Sequence, residues 1–180
     1  MKLDIGGGKN SLKGYTTIDI EPKHGADYVG DFRTMNFENI EKIRSWFLLE
    51  HFSREEQIKV LQLWHSWLIE GGILDVSVPD FEYICKNFNV HEYWMTRHAF
   101  GSQEANWAFH LDGWYEKKFK GLFPCLGFEI QEVERFITRK HLPNIRVLSK
   151  KVAPNGKLNK YIKLYSPHDA YSNTSISQIA

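Results

Sequence analysis

A glycine turn and an acidic residue near the start of the chain have the types and spacing of a nucleoside-binding site. The apolar run 2–5 ends in Gly6-Gly7-Gly8, and a second run, 16–20, carries Asp19 at its end. Glycines let the backbone approach a ligand closely, and a carboxylate at a strand end can accept hydrogen bonds from two ribose hydroxyls. A plain tight turn is the alternative interpretation of the same glycines.

The glycine turn lacks the features that bind phosphate. Ser11 stands where a dinucleotide site needs a third glycine at the start of a helix. About ten residues separate the two apolar runs, which leaves room for one helical turn at most. The chain contains no Gly-Lys-Ser/Thr phosphate loop. We therefore expect a nucleoside without a phosphate chain.

Alternating strand and helix patterns are expected to position these residues. Strands are predicted at 2–5, 16–20, 27–30, 44–48 and 73–78. Ser53 and Glu56 have the spacing of a capping box, which predicts a helix over 54–69 that Gly71 ends. This alternation predicts an α/β fold, in which a mainly parallel sheet is flanked by helices and ligands bind at the carboxyl ends of the strands. The polar residues and glycines expected at these ends are Gly6, Asp19, Asp31, Glu50, His51 and Asp80.

The C-terminal part of the chain is predicted to close the sheet with an antiparallel hairpin. Helical spacing over 116–126 ends at Gly127, and an alternating strand pattern follows. Asn155-Gly156 is a strong hairpin-turn signal between the predicted strands 144–152 and 158–165.

Several segments together resemble class I S-adenosylmethionine-dependent methyltransferases. They stand in that family's order over residues 2–136 and are Leu3 to Gly8, Gly14 to Pro22, Ala26 to Phe32, Leu48 to Phe52 and Gly71 to Asp80. The likeness is greatest to short members associated with sugar and small-molecule modification. It implies a Rossmann-like methyltransferase fold, S-adenosylmethionine as methyl donor and S-adenosylhomocysteine as product. The acceptor it implies is a hydroxyl or amine of a small, sugar-like molecule.

The same resemblance assigns cofactor-binding residues. Gly6 and Gly8 are implied to approach the methionine portion, Asp19 to hold the ribose, and Asp31 with Phe32 to lie near the adenine. The complete implied set is Asp4, Gly6, Gly7, Gly8, Asp19, Ile20, Asp31, Phe32, Leu49 and Glu50. For Asp31, a turn-capping role is the alternative.

Residues 90–115 crowd aromatic, histidine and other polar side chains into a segment without a clear helical or strand period. Related methyltransferases place an active-site cover at this position. Aromatic faces beside hydrogen-bonding groups suit a sugar or another ring-shaped acceptor. A lid packed by its own aromatic side chains is the alternative.

Methyl transfer to a hydroxyl requires alignment with the methyl carbon and removal of a proton. His110 is the first candidate for the base, His51 the second and His98 the third, although each also fits a structural role. Asp112 can orient a histidine. The spacing of His91, His98 and His110 does not fit a metal site, so no metal is expected.

Composition sets broad limits on the protein class. The 180 residues, 42% of them apolar, suffice for a single domain at 1–170 with a flexible tail at 171–180. A formal charge of +1 indicates no general affinity for nucleic acid, and no long apolar run or signal peptide indicates a membrane. Cys85 and Cys125 are expected as a reduced core pair, which favours the cytoplasm.

Besides a nucleoside-using enzyme of another reaction type, two functional hypotheses follow from the sequence. The first is a small cytoplasmic methyltransferase whose partner is a small-molecule acceptor. The second is a non-catalytic, methyltransferase-like cofactor-binding or partner subunit, favoured by the short first crossover and the unbroken glycine run. The sequence does not predict the oligomeric state.

Overall fold

A seven-stranded, mainly parallel sheet organises the computed structural model, which describes residues 1–9, 12–139 and 141–165. The strands are β1 (Lys2–Ile5), β2 (Thr16–Asp19), β3 (Tyr28–Val29), β4 (Ile40–Trp46), β5 (Leu68–Pro79), β6 (Phe128–Thr138) and β7 (Leu142–Lys151). The α-helices are α1 (Arg54–Trp67), α2 (Phe81–Lys86), α3 (Glu92–Phe100), α4 (Glu116–Leu122) and α5 (Leu158–Tyr165).

The strand order creates a crevice at one edge of the sheet. The order is β3-β2-β1-β4-β5-β7-β6, with parallel pairing from β3 through β5 and antiparallel pairing of β7 with both β5 and β6. The chain runs outward from β1 through β2 to β3 and then crosses to β4 on the other side. Loops after β1 and β4 therefore diverge, which opens a ligand crevice at the carboxyl ends of these strands.

The hydrophobic core lies on one face of the sheet. Alternate residues of the strands point into it, and α1 and α4 cover them with large aromatic side chains. Fully buried members include Leu3, Ile5, Ile43, Leu74, Val76, Trp64 and Phe119. Because successive side chains of a strand alternate between faces, the residues between these apolar positions lie on the opposite face.

That opposite face carries paired charges. Asp4, Arg44 and Asp75 are neighbours across β1, β4 and β5. The Arg44 guanidinium donates to Asp4 Oδ2 at 2.7 Å, and Arg146 of β7 donates to both oxygens of Asp75 at 2.8 Å. Asp4 and Asp75 thus each have a cationic partner, and the ion pairs connect strands that are far apart in sequence.

Helix α1 begins with the predicted capping box. Ser53 Oγ accepts from the Glu56 amide, and the Glu56 carboxylate accepts from the Ser53 amide at 3.0 Å. The predicted end at 69 is wrong, because the helix stops at Trp67 and β5 begins at the next residue. Gly71, expected to end the helix, lies within β5 at a positive φ of 75°.

The closing hairpin exists, but not at the predicted turn. β6 and β7 form it, whereas Asn155-Gly156 precedes helix α5. The prediction of a strand over 158–165 is wrong, because Leu158 and Tyr161 have helical spacing and pack against the core. The tail predicted at 171–180 lies outside the described residues.

Two further expectations are corrected by the structure. The segment 90–115 is not without period, since α3 occupies its first part with Met95 and His98 buried. Cys85 and Cys125 are both free, but they are not a core pair: Cys85 is exposed and only Cys125 is buried. Within the described ranges, no helix has the length and apolar character needed to cross a bilayer.

Candidate functional site

A cleft opens at the carboxyl ends of β1 to β4, at the point where the strand order reverses. Its volume of about 350 Å³ lies within the range of about 300–1,000 Å³ typical of small-molecule sites. Six of the predicted cofactor-binding residues line it: Gly6, Gly8, Asp19, Ile20, Asp31 and Phe32. The local sequence pattern therefore brings these six together as expected.

Asp19 holds the glycine turn in place. Its Oδ2 accepts from the Gly8 amide at 2.9 Å, and its Oδ1 accepts from the Glu21 amide at 2.8 Å. Gly6 and Gly8 have positive φ values of 74° and 58°, which glycine adopts without strain. A carboxylate offers about four lone-pair positions, so Asp19 can still accept hydrogen bonds from a ligand in the cleft.

Asp31 both caps a turn and lines the cleft. It accepts from the amide of Arg33 at 2.9 Å, as the capping interpretation expects, and its carboxylate also receives the Arg33 guanidinium. The hydrogen bond from Arg33 lowers the pKa of Asp31, which therefore stays ionised at neutral pH. Phe32 follows it and is almost fully buried, with its ring 5.8 Å from that of Trp64.

Other predicted site residues lie behind the cleft or outside it. Asp4 is fully buried, and a Cβ on Gly7 would lie 2.8 Å from Asp4 Oδ2, so these two residues pack against each other behind the turn. Leu49 belongs to the core. Asp80, which was expected in the same crevice, instead caps α2 and pairs with Arg135 at 2.9 Å.

A second and larger cleft adjoins the first. It has a volume of about 1140 Å³ and lies between α1, α4, α5 and the end of the 90–115 segment. His51 lines the smaller cleft, His110 lines the larger one, and Leu111 lines both. The two imidazole rings are 4.8 Å apart between centroids, so the pair of histidines stands where the clefts meet.

Main-chain carbonyl groups fix the orientation of both histidines. His51 Nδ1 lies 2.8 Å from the carbonyl oxygen of Phe109, and His110 Nδ1 lies 2.9 Å from that of His98. Because a carbonyl oxygen only accepts, each Nδ1 carries the hydrogen and donates it. In the neutral imidazole this leaves the lone pair on Nε2 of each ring.

Glu50 completes a cluster with these histidines. One ligand-capable atom from each of Glu50, His51 and His110 lies within 4.8 Å of the others. Glu50 is 2% exposed, and neither carboxylate oxygen has a hydrogen-bond partner among the described residues. Burial raises the pKa of Glu50 to about 8, against a smaller opposing effect of its own main-chain amide.

Burial also keeps the two imidazoles neutral. It lowers the pKa of His51, and burial together with the nearby His51 lowers the pKa of His110 to about 4. Desolvation disfavours the charged form of a base, which is the physical cause in both cases. At neutral pH both rings therefore present an unprotonated nitrogen.

His98 and Asp112 make contacts that stabilise the fold and do not belong to the histidine cluster. The buried His98 ring contacts the Pro143 carbonyl at 2.9 Å and the Asn144 side chain at 3.1 Å, while its own carbonyl receives His110. The expectation that Asp112 orients a histidine is wrong, because its carboxylate receives the buried Lys118 ammonium at 2.5 Å.

Solved structures share this sheet and its helices. A SAM-dependent methyltransferase from Methanosarcina mazei superposes with a TM-score of 0.59 at 16% identity, over 84% of this chain and 92% of that one. The Burkholderia thailandensis 1,6-didemethyltoxoflavin-N1-methyltransferase, solved with S-adenosylhomocysteine, gives 0.60 at 14% identity over 84% and 71%. The magnesium protoporphyrin IX methyltransferase of Synechocystis, also with S-adenosylhomocysteine, gives 0.54 at 14% identity over 84% and 74%. The chain has the class I methyltransferase fold.

Sequence comparisons add no closer assignment to the methyltransferase fold. No protein-family model matches the chain. No curated protein matches it either. The likeness therefore concerns the architecture, in which the 350 Å³ cleft occupies the switch point of a methyltransferase-type sheet.

The predicted cover, residues 90–115, is held against Glu50 by main-chain hydrogen bonds. The Leu111 amide donates to the Glu50 carbonyl at 2.8 Å, and the His110 amide donates to the Phe100 carbonyl at 3.1 Å. Gly101 makes this close approach possible, since a Cβ there would lie 2.1 Å from the Ala108 carbonyl oxygen. Its φ of 83° and ψ of 178° are also reserved for glycine.

Sequence reasoning missed several residues of the two clefts. Phe47, Leu48, Trp107 and Leu111 line the smaller cleft but were not among the predicted binding residues. Leu48 belongs to the Leu48 to Phe52 segment that carries the resemblance, which was an available signal. Trp107 and Leu111 reach the cleft only through the fold of the cover, so no local pattern identifies them.

Proposed function

We propose that the protein is an S-adenosylmethionine-dependent methyltransferase that acts on a small acceptor. The observation that carries this proposal is the cleft at the switch point, where the glycine turn is held by Asp19. The methyltransferase-type sheet supports it, and two of the similar structures contain S-adenosylhomocysteine.

The smaller cleft binds the methyl donor in this proposal. Gly6 and Gly8 face the methionine portion, and Asp19 accepts hydrogen bonds from the ribose hydroxyls. Asp31 and Phe32 lie on the adenine side, with Ile20 between the two parts. The retained lone pairs of Asp19 and the positive φ values of the glycines fit this arrangement.

The larger cleft binds the acceptor. Aromatic rings of Phe81, Phe100 and Tyr115 line it together with charged groups such as Arg54 and Asp112. Such a mixture suits a ring-shaped, sugar-like acceptor that packs on aromatic faces and presents a hydroxyl or amine. S-adenosylmethionine bound in the neighbouring smaller cleft then supplies the methyl group.

His110 and His51 act on the acceptor at the junction of the clefts. The reaction needs in-line alignment of the acceptor lone pair with the methyl carbon and loss of a proton from the acceptor. Both rings are held by main-chain carbonyls with Nε2 unprotonated, so they can assist that loss without reorienting.

The absence of a disulfide between the two described cysteines fits a reducing compartment. Cys85 and Cys125 are both free, one exposed and one buried. Proteins of oxidising compartments commonly pair their cysteines. We therefore propose a cytoplasmic location. The formal charge of +1 supports a small molecule, rather than a nucleic acid, as the acceptor.

A thermal-shift titration with four ligands in parallel tests the donor assignment. S-adenosylmethionine and S-adenosylhomocysteine should each raise the melting temperature, while NAD and ATP should not. A ligand at 100 times its dissociation constant adds about 2.7 kcal/mol, which corresponds to roughly 5–11 °C for a domain of this size. Stabilisation by NAD or ATP alone would contradict the proposal, as would the absence of any shift with the two S-adenosyl compounds.

A further inference from the structure

Glu50, His51 and His110 form a three-ligand set of a kind that binds metal ions. One ligand atom from each lies within 4.8 Å of the others, although His110 comes from the cover and the other two follow β4. We propose that these three side chains bind a divalent transition-metal ion at the junction of the two clefts. The sequence predicted no metal, because only the spacing of histidines along the chain was available.

The hydrogen bonds of the two histidines are those of metal ligands. A histidine that binds a metal through one nitrogen commonly donates its other ring N–H to a carboxylate or a main-chain carbonyl. His51 and His110 both do so, toward Phe109 and His98. This arrangement fixes the tautomer and leaves Nε2 to serve as the ligand atom. Both rings therefore present a lone pair before any metal arrives.

The unpartnered carboxylate of Glu50 is the second, independent observation. Buried side-chain oxygens in native proteins almost always have hydrogen-bond partners, and a buried charge is costly when unpaired. Glu50 is 2% exposed, and both of its oxygens lack a hydrogen-bond partner within the described part of the chain. A bound cation would supply the missing partner and balance the carboxylate charge.

The ligand types indicate which ions the site prefers. Two imidazole nitrogens and one carboxylate suit Mn²⁺, Fe²⁺, Co²⁺ or Zn²⁺, whereas Mg²⁺ and Ca²⁺ favour sites made of oxygen atoms. Three protein ligands also leave at least one coordination position open, as in catalytic rather than structural sites. The two clefts meet at this point, so the open position is accessible to an acceptor.

The role of the ion rests on the proposed function. An acceptor hydroxyl bound to the ion loses its proton to solvent more readily, because the cation stabilises the resulting oxyanion. An oxygen lone pair then forms the bond to the methyl carbon while the carbon–sulfur bond breaks. The electrons of that bond stay on sulfur, which gives S-adenosylhomocysteine and the methylated acceptor. Because Nε2 of His51 and His110 then binds the ion, the two rings hold the ion that favours proton loss and do not accept the proton themselves.

Cobalt binding to the chelator-treated protein tests the site without any need for turnover. Co²⁺ alone is titrated while its visible absorption and the heat of binding are recorded. We expect one ion per chain, and we expect Glu50→Gln and His110→Ala each to weaken binding by about 100-fold or more. Glu50→Gln retains the volume of the side chain, and circular dichroism checks that each variant is folded.

A matched control excludes the surface histidine pair. His91 and His141 lie with their ring centroids 4.3 Å apart, outside the proposed site. His141→Ala should bind Co²⁺ like the wild type. The proposal is overturned if the wild type takes up no Co²⁺, or if His141→Ala loses the ion while Glu50→Gln keeps it.

Binding of S-adenosylhomocysteine to the metal-free protein separates the two proposals. If this ligand binds and Co²⁺ does not, the metal site is wrong and the donor cleft stands. If Co²⁺ binds with the expected variant pattern and S-adenosylhomocysteine does not, the metal site stands and the methyltransferase function fails.

Discussion

Asp19→Asn is expected to weaken binding of S-adenosylhomocysteine by about 100-fold or more. The carboxylate already accepts from the Gly8 and Glu21 amides, and the proposed ribose contacts use its remaining lone pairs. An amide is uncharged and has only one acceptor oxygen, so the ligand contact loses its charge assistance and the glycine turn loses one of the acceptors that hold it in shape for the ligand. At roughly 1.5 kcal/mol each, this is about 3 kcal/mol. Isothermal titration calorimetry measures the change.

Asp27→Asn is the matched control for this variant. Asp27 lies nearby, and its Oδ2 accepts from the Thr17 amide at 2.8 Å and hydroxyl at 2.9 Å, but it does not line the cleft. Its substitution should leave the affinity within about twofold of the wild type, because only contacts to the ligand set the expected difference. Equal affinity of Asp19→Asn and the wild type would show that the ribose assignment is wrong.

Lys118→Met is expected to destabilise the protein by about 3 kcal/mol. The Lys118 ammonium lies 2.5 Å from Asp112 and 2.9 Å from the Gln57 side-chain oxygen, and it stands 3.9 Å from the centre of the Trp114 ring. Burial lowers the pKa of Lys118 to about 8, although Asp112 opposes that shift. Removal of the cation leaves a largely buried carboxylate whose remaining described partners are the exposed Arg54 at 3.4 Å and the Gly113 amide at 3.0 Å. Urea denaturation measures the free energy of unfolding.

A double variant and a surface control complete this experiment. Lys118→Met with Asp112→Asn should recover much of the lost stability, because no unpaired charge remains. Lys120→Met removes an exposed ion pair with Glu116 on the same helix and should cost less than about 1 kcal/mol. Additive losses in the double variant would contradict the pairing of Lys118 with Asp112.

The sequence predicted the parts of the fold that depend on local patterns. The strands of β1 and β2, the glycine turn between them and the capping box of Ser53 and Glu56 all lie where expected. Each depends on residues within a few positions of one another. Four of the six cleft residues, Gly6, Gly8, Asp19 and Ile20, lie in or next to these segments, and Asp31 and Phe32 follow β3.

The errors arise where tertiary packing overrides a local signal. Asn155-Gly156 is a common hairpin turn, but the antiparallel partner of β7 is the preceding strand β6, and Leu158 and Tyr161 pack on the core as a helix. The helical spacing of these two residues was visible in the sequence. Partial burial of these two side chains favours the helix over the hairpin that the turn signal predicts.

The histidine cluster required the folded structure. His51 and His110 were each predicted as candidate bases, and Glu50 as a cofactor-binding residue, without any indication that the three meet. Their meeting depends on Gly101 and on the hydrogen bond from Leu111 to the Glu50 carbonyl, which fold the cover back onto the end of β4. No spacing in the sequence encodes that contact.

The central claim is that the cleft beside Asp19 binds the methyl donor, and an amide NMR titration with S-adenosylhomocysteine tests it most directly. The largest chemical-shift changes are expected on Gly6, Gly8, Ile20 and Phe32, which line that cleft. Changes confined to Ile58 and Leu122 of the larger cleft, or no changes at saturating ligand, would contradict it.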